Sequence, residues 1–101
     1  QRLMFIGEVV GNVWGQYKHK SLDNRRLLLV RPIDPLTEKA TGEAVMCVEG
    51  GVGAGPGSIV LVVDEGNAAR MILKDKTAPV RTVVCGIVDK VSLKGQEKRY
   101  E

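Results

Sequence analysis

Histidine is almost missing from this chain: the one copy, His19, stands between Lys18 and Lys20 in a polar stretch. Neighbouring ammonium groups oppose its protonation, so it reads as a solvated side chain rather than a general base or metal ligand. Ser21, Ser58 and Ser92 therefore lack a base that reaches them all, and serine nucleophile chemistry is not expected. The two cysteines, Cys47 and Cys85, lie far apart inside apolar runs with no CxxC spacing. They read as buried free thiols in a reducing cytosol, not as a disulfide or a metal site. Aromatic residues make up only 4%, so a core must be built from Val, Leu and Ile. No apolar run approaches the ~20 residues of a membrane-spanning helix. No charged segment followed by an apolar one opens the chain, so secretion is not expected. No metal or cofactor is expected either.

The 101 residues fit a single domain over 1–101, small enough that association would help it hide apolar surface. The net charge of +3 is modest and scattered, a weak pointer to anionic partners. Glycine is frequent at 12 copies, and the densest run is Gly53-Ala54-Gly55-Pro56-Gly57. A glycine loop that cradles phosphate must open into a helix, whose first amides hold the anion. This one opens into Ser58-Ile59-Val60-Leu61-Val62-Val63, which reads as a strand. No Gly-Lys-Ser/Thr follows it, and the strand-turn-helix order of a dinucleotide fingerprint is missing. The loop instead reads as a place of close backbone approach, either a tight turn or a subunit contact.

Strand patterns cover Leu3 to Val13, Arg25 to Ile33, Glu43 to Val48, Ile59 to Val63 and Val80 to Val91. Asn67 to Leu73 reads as a short helix, with Asn67 as N-cap and Ala68-Ala69 favouring it. Lys94 to Glu101 is charged and fits an edge strand or a frayed end. Five strands and one helix predict a mainly β fold, a small antiparallel barrel with corners at Gly7, Gly11 and Gly86. Several strands are apolar on both faces. In an antiparallel domain one face is usually wet, so the second face calls for a cover, most simply another copy of the chain.

Two functional classes stay open on the residues alone. Five-stranded barrels include OB-folds, and Trp14 and Tyr17 beside Lys18, Lys20, Arg25 and Arg26 have the composition of a single-stranded nucleic-acid site. Their place at a strand end and in a loop fits partial burial or a subunit contact equally. The adjacent carboxylates Asp64 and Glu65 point to opposite sides of a strand end, which excludes a paired acid and base. Arg70 is either a surface arginine or a fork for carbonyls or a carboxylate across an interface.

The run Val52-Gly53-Ala54-Gly55-Pro56-Gly57-Ser58-Ile59-Val60-Leu61-Val62, followed by Gly66-Asn67-Ala68-Ala69-Arg70, resembles the EutN/CcmL family of bacterial microcompartment vertex proteins. Gly7-Glu8-Val9-Val10, Leu27 to Asp34, Pro79-Val80 and Gly86-Ile87-Val88-Asp89 extend the likeness along nearly the whole chain. The resemblance implies an OB-like barrel assembling as a cyclic homopentamer, placed at the corners of a polyhedral shell in the bacterial cytoplasm. The partners it implies are hexameric shell proteins, with no nucleic acid, no membrane and no catalysis. It places Gly53, Ala54, Gly55, Pro56 and Gly57 at the five-fold axis around a narrow opening. It gives Asn67, Ala68, Ala69 and Arg70 to subunit packing. Ser58 stands where the family commonly carries glutamate, Gly50 where an aspartate is usual, Asn67 for serine, and Arg81 at an often acidic position. The axis region implied is correspondingly less acidic.

Overall fold

The computed structural model describes residues 3–13, 25–76, 80–93 and 95–100. Strand β1 (Met4–Val13) pairs antiparallel with β2 (Leu27–Pro32) on one side and β4 (Ile59–Asp64) on the other. Strand β3 (Val45–Glu49) continues from β2, and β5 (Thr82–Ile87) closes the barrel between β3 and β4. The order β1-β2-β3-β5-β4 has no free edge. A helix, α1 (Gly66–Leu73), bridges β4 and β5, and a separate hairpin of β6 (Lys90–Leu93) and β7 (Gln96–Arg99) follows.

Alternation of side chains along each strand builds the interior. Val9, Leu28, Val30, Val60, Val62 and Val84 meet inside the barrel, each at most 1% exposed. β-Branched residues suit this pleated, fully covered surface, and few rings are needed to fill so narrow a space. Register shifts fall at Val9/Gly11 and at Leu61/Val62 opposite Gly86, so two of the three expected corner glycines sit at bulges that curve the sheet. Gly7 serves differently: a Cβ there would lie 2.5 Å from Val30 Cγ1 and 2.8 Å from the Arg31 carbonyl oxygen.

Five expectations change. The barrel is not wholly antiparallel, because β3 and β5 run parallel through Val48↔Val83 and Glu49↔Val84. β4 occupies the far side of β1, so β5 must return beside β3 in the same direction. The run from Val80 to Val91 is not one strand: Val88 and Asp89 separate β5 from β6, which pairs with β7 through Lys90↔Arg99 to Leu93↔Gln96. The barrel itself has the five strands expected, and the β6–β7 hairpin outside it brings the described residues to seven. Asn67 is not the helix cap; that role falls to Glu65, as described below. Finally, part of the outer apolar face is covered within the chain. Leu27, Val48 and Val83 pack outside the barrel against Ala69 and Leu73 of α1. Met4, Val10, Met46 and Ile87 stay exposed on the strands. Cys47 is buried as expected, whereas Cys85 is only half-buried.

The hairpin is fastened rather than frayed. Lys98 Nζ lies 2.7 Å from Glu38 Oε2, the Tyr100 hydroxyl donates to the Pro35 carbonyl, and Tyr100 N–H donates to Asp89 O at 2.8 Å.

Candidate functional site

The glycine loop, residues 50–58, joins β3 to β4 across one end of the barrel. Its start is tied to β5, where Gly50 N–H donates to Val84 O at 2.9 Å. A Cβ on Gly50 would lie 2.3 Å from that same oxygen, so only glycine fits this approach. Its end is tied to β1: Gly57 N–H donates to Val9 O at 2.8 Å, and Val9 N–H donates to Ser58 O at 2.9 Å. Between them Ala54, with 0% exposure, drops into the barrel core, and Val52 packs beside it. Ser58 tightens the last turn, with its hydroxyl accepting from Gly55 N–H at 3.2 Å.

Sequence reasoning missed the residue that shapes this loop. The Glu49 carboxylate accepts from the amides of Gly51, Val52 at 3.0 Å and Ala54 at 3.0 Å. Successive amides turned inward form an anion-binding concavity, and here the anion is the chain's own side chain. The loop thus has the amide chemistry first considered for a phosphate, with the place already filled. A glutamate directly ahead of a glycine run was the available signal.

Among the axial candidates, Gly53, Pro56 and Gly57 are exposed, Gly55 is half-buried, and Ala54 is inside. Gly53 and Gly57 adopt φ of 79° and 91°, which favours glycine. Gly55 does not, and among the described residues a Cβ there would meet only Arg26 Nη2 at 3.9 Å.

The helix residues Asn67, Ala68, Ala69 and Arg70 lie away from the loop tip, at the opposite end of β4. Glu65 is extended at φ −161°, and its carboxylate accepts from Asn67 N–H at 2.7 Å and Ala68 N–H at 3.0 Å. A carboxylate there meets both the open amides and the positive end of the helix. Those two amide bonds, Asn67 first, hold the Glu65 carboxyl below its ordinary value. Asn67 is left to accept from Arg70 Nη2 at 2.6 Å, so Arg70 folds back over its own helix. Asp64 turns the other way, to Arg81 Nε at 2.8 Å. The two adjacent carboxylates do separate jobs, as their alternation required. Ala69 is buried against the barrel and is an intrachain packing residue; Ala68 is half-buried.

Burial pushes the Cys47 thiol up to about 11, and burial raises Cys85 too, so neither is a poised nucleophile. Among the described residues no three His, Cys, Asp or Glu side chains gather as metal ligands. No helix among them is long and apolar enough to cross a membrane. Trp14, Tyr17, Lys18, His19, Lys20 and Ser21 lie outside the described residues.

The model of the family described as "Ethanolamine utilisation protein EutN/carboxysome" matches residues 4–89. The bacterial microcompartment shell vertex protein EutN of Escherichia coli (strain K12) is 37% identical over 93 residues, covering 92% of this chain and 95% of that protein. The carboxysome shell vertex protein CcmL of Gloeobacter violaceus is 37% identical over 90 residues, covering 89% and 87%. The solved structure of GrpN, a pentameric microcompartment shell protein from Rhodospirillum rubrum, superposes with a TM-score of 0.75 at 32% identity. The superposition covers 88% of this chain and 98% of that one.

Proposed function

Since the chain belongs to the EutN/CcmL family, we propose that it is a vertex protein of a bacterial microcompartment shell, five copies forming a ring at each corner. The reading rests most on one observation: the match runs through the whole barrel and the glycine loop, not through an isolated motif. The residues 1–101 act as one domain, without catalysis of their own. A flat sheet of hexameric shell proteins cannot close by itself, and a five-fold unit supplies the curvature that closes it. The ring contact is heterologous, one face of each copy meeting a different face of the next. Exposed Met4, Val10, Met46 and Ile87 are the apolar surface available for it.

In this ring Gly53 to Gly57 converge on the axis, where small side chains let five loops approach. Asn67, Ala68, Ala69 and Arg70 support packing between copies, chiefly through Arg70 and its Asn67 partner. The assembly works in the bacterial cytoplasm and needs neither membrane nor nucleic acid. Light scattering is expected to give about five times the 11.0 kDa chain mass. Labelled single-stranded DNA is expected to show no salt-sensitive binding. A monomer that binds DNA overturns the reading.

A further inference from the structure

Past β5 the chain leaves the barrel, and the family match ends at Asp89, one residue before β6. The β6–β7 hairpin thus lies beyond what the vertex reading accounts for. Val88 is still held to the barrel, its N–H donating to the Ile59 carbonyl at 2.8 Å. Among the described residues, neither β6 nor β7 packs broadly against a barrel strand or α1. A two-stranded hairpin left to itself is marginally stable in water. We infer that this hairpin is a strap that opens as a unit about Asp89, and that Glu38 is the residue latching it shut.

The latch is built on the turn from Asp34 to Lys39. Asp34 Oδ1 accepts from Leu36 N–H at 2.9 Å and Thr37 N–H at 3.2 Å, and Asp34 N–H donates to the Lys39 carbonyl at 2.8 Å. Ile33 and Ala40 bridge just outside it. The turn is therefore a fixed platform that needs nothing from the hairpin. On it Glu38 adopts φ of 61°, a left-handed backbone that suits glycine and carries a cost for a residue with a Cβ. An outlier of this kind points to a use for its side chain. Here the use is the ion pair of Glu38 Oε2 with Lys98 Nζ of β7 at 2.7 Å. The Tyr100 hydroxyl adds a second point by donating to the Pro35 carbonyl, and Tyr100 N–H closes the hairpin's base on Asp89 O at 2.8 Å. The Glu38 carboxylate holds the Lys98 ammonium above its ordinary value, and burial does the same for the Tyr100 hydroxyl, so both remain donors. Within the hairpin, Glu97 pairs with Lys90 at 3.4 Å and Arg99 at 3.2 Å, which binds the two strands into one body. A part-exposed ion pair is weak and screened by salt, whereas the apolar barrel is not loosened that way. Salt therefore opens the strap before it touches the barrel.

The inference concerns contacts within one chain and stands whether or not the chain forms a ring. Hydrogen–deuterium exchange of the full chain, read by mass spectrometry on a β6–β7 peptide and a β4 peptide, tests it. Raising sodium chloride from about 0.1 M to about 1 M shortens the screening length from about 10 Å to about 3 Å. Over that range the wild-type hairpin is expected to exchange about fivefold faster while β4 keeps its rate. Glu38→Gly is expected to speed the hairpin about fivefold already at low salt and to remove most of the salt dependence. If Glu38 served only its own turn, the sign would be opposite, because glycine at that φ relieves the backbone and slows exchange. Tyr100→Phe is expected to speed the hairpin as well, again with β4 unchanged. Light scattering on the same samples separates opening of the strap from any change of assembly. A hairpin rate that Glu38→Gly leaves at the wild-type value overturns the latch, and a rise shared equally by β4 overturns the separate unit. Should Glu38→Gly fail to fold, the wild-type salt series decides alone: a hairpin rate indifferent to salt overturns the inference.

Discussion

Glu49 and Gly50 together decide the form of the glycine loop, and neither could be weighted from its residue type alone. Glu49 draws three amides into one carboxylate, and Gly50 lets the backbone of β5 approach to hydrogen-bonding distance. A sequence shows a glutamate before glycines; it does not show that the chain folds back over it. Glu49→Ala leaves those amides without their acceptor and is expected to cost about 1–3 kcal/mol in urea unfolding. An unchanged midpoint would mean that water replaces the carboxylate without loss. Gly50→Ala pushes a methyl onto the Val84 oxygen and is expected to cost about 3 kcal/mol. The cysteines give a cleaner case of legibility. Their apolar neighbours indicated free thiols, as both are, but not that Cys85 lies half-open at a bulged strand. With the Cys47 thiol pushed up to about 11 and buried, iodoacetamide at pH 8 is expected to label Cys85 first, as read by mass spectrometry of the folded protein.

At the scale of elements, every barrel strand was legible from its apolar run, leucine-rich in β2 and β-branched in β4 and β5, and α1 from its alanines. What the pattern could not give was the partner of each strand. No antiparallel pair in the barrel is joined by a tight turn, and the parallel pairing of β3 with β5 depends on where β4 and α1 go in between. The helix cap was misassigned for a related reason. Asn67 and Glu65 are both plausible acceptors, and only the extended backbone at Glu65 brings its carboxylate over the two amides. This cap has a pH consequence. Glu65 titrates below its ordinary value of 4.5 in the folded chain. The stability it contributes is therefore complete above that value and is lost as pH falls through the lower, folded one. Glu65→Gln is expected to lower the thermal midpoint at pH 7 and to narrow its gap from wild type in an acid series below pH 4.5. A constant gap across that series would show that the charge is not what matters.

For the whole molecule, the glycine pattern and its surroundings carried most of the functional reading, because so much of the chain had to agree at once. The structure adds a way to separate fold from assembly. At Gly55 a Cβ meets, among the described residues, only Arg26 Nη2 at 3.9 Å, so the loop leaves space where a side chain would begin. Gly55→Leu is expected to keep the far-ultraviolet circular dichroism of the barrel while reducing the scattering mass from pentamer toward monomer. A mass left at five chains would mean that the loops do not crowd at the axis. The seam between β3 and β5 has a further consequence, one of timing. Val48 cannot meet Val83 until the loop, β4, α1 and the start of β5 have left the ribosome, and so distant a contact forms late. The nascent chain therefore carries an open barrel through most of its synthesis. If copies meet through the exposed strand residues proposed above, that surface is complete only once the last barrel strand is out, and folding is expected to finish before recruitment into a growing assembly.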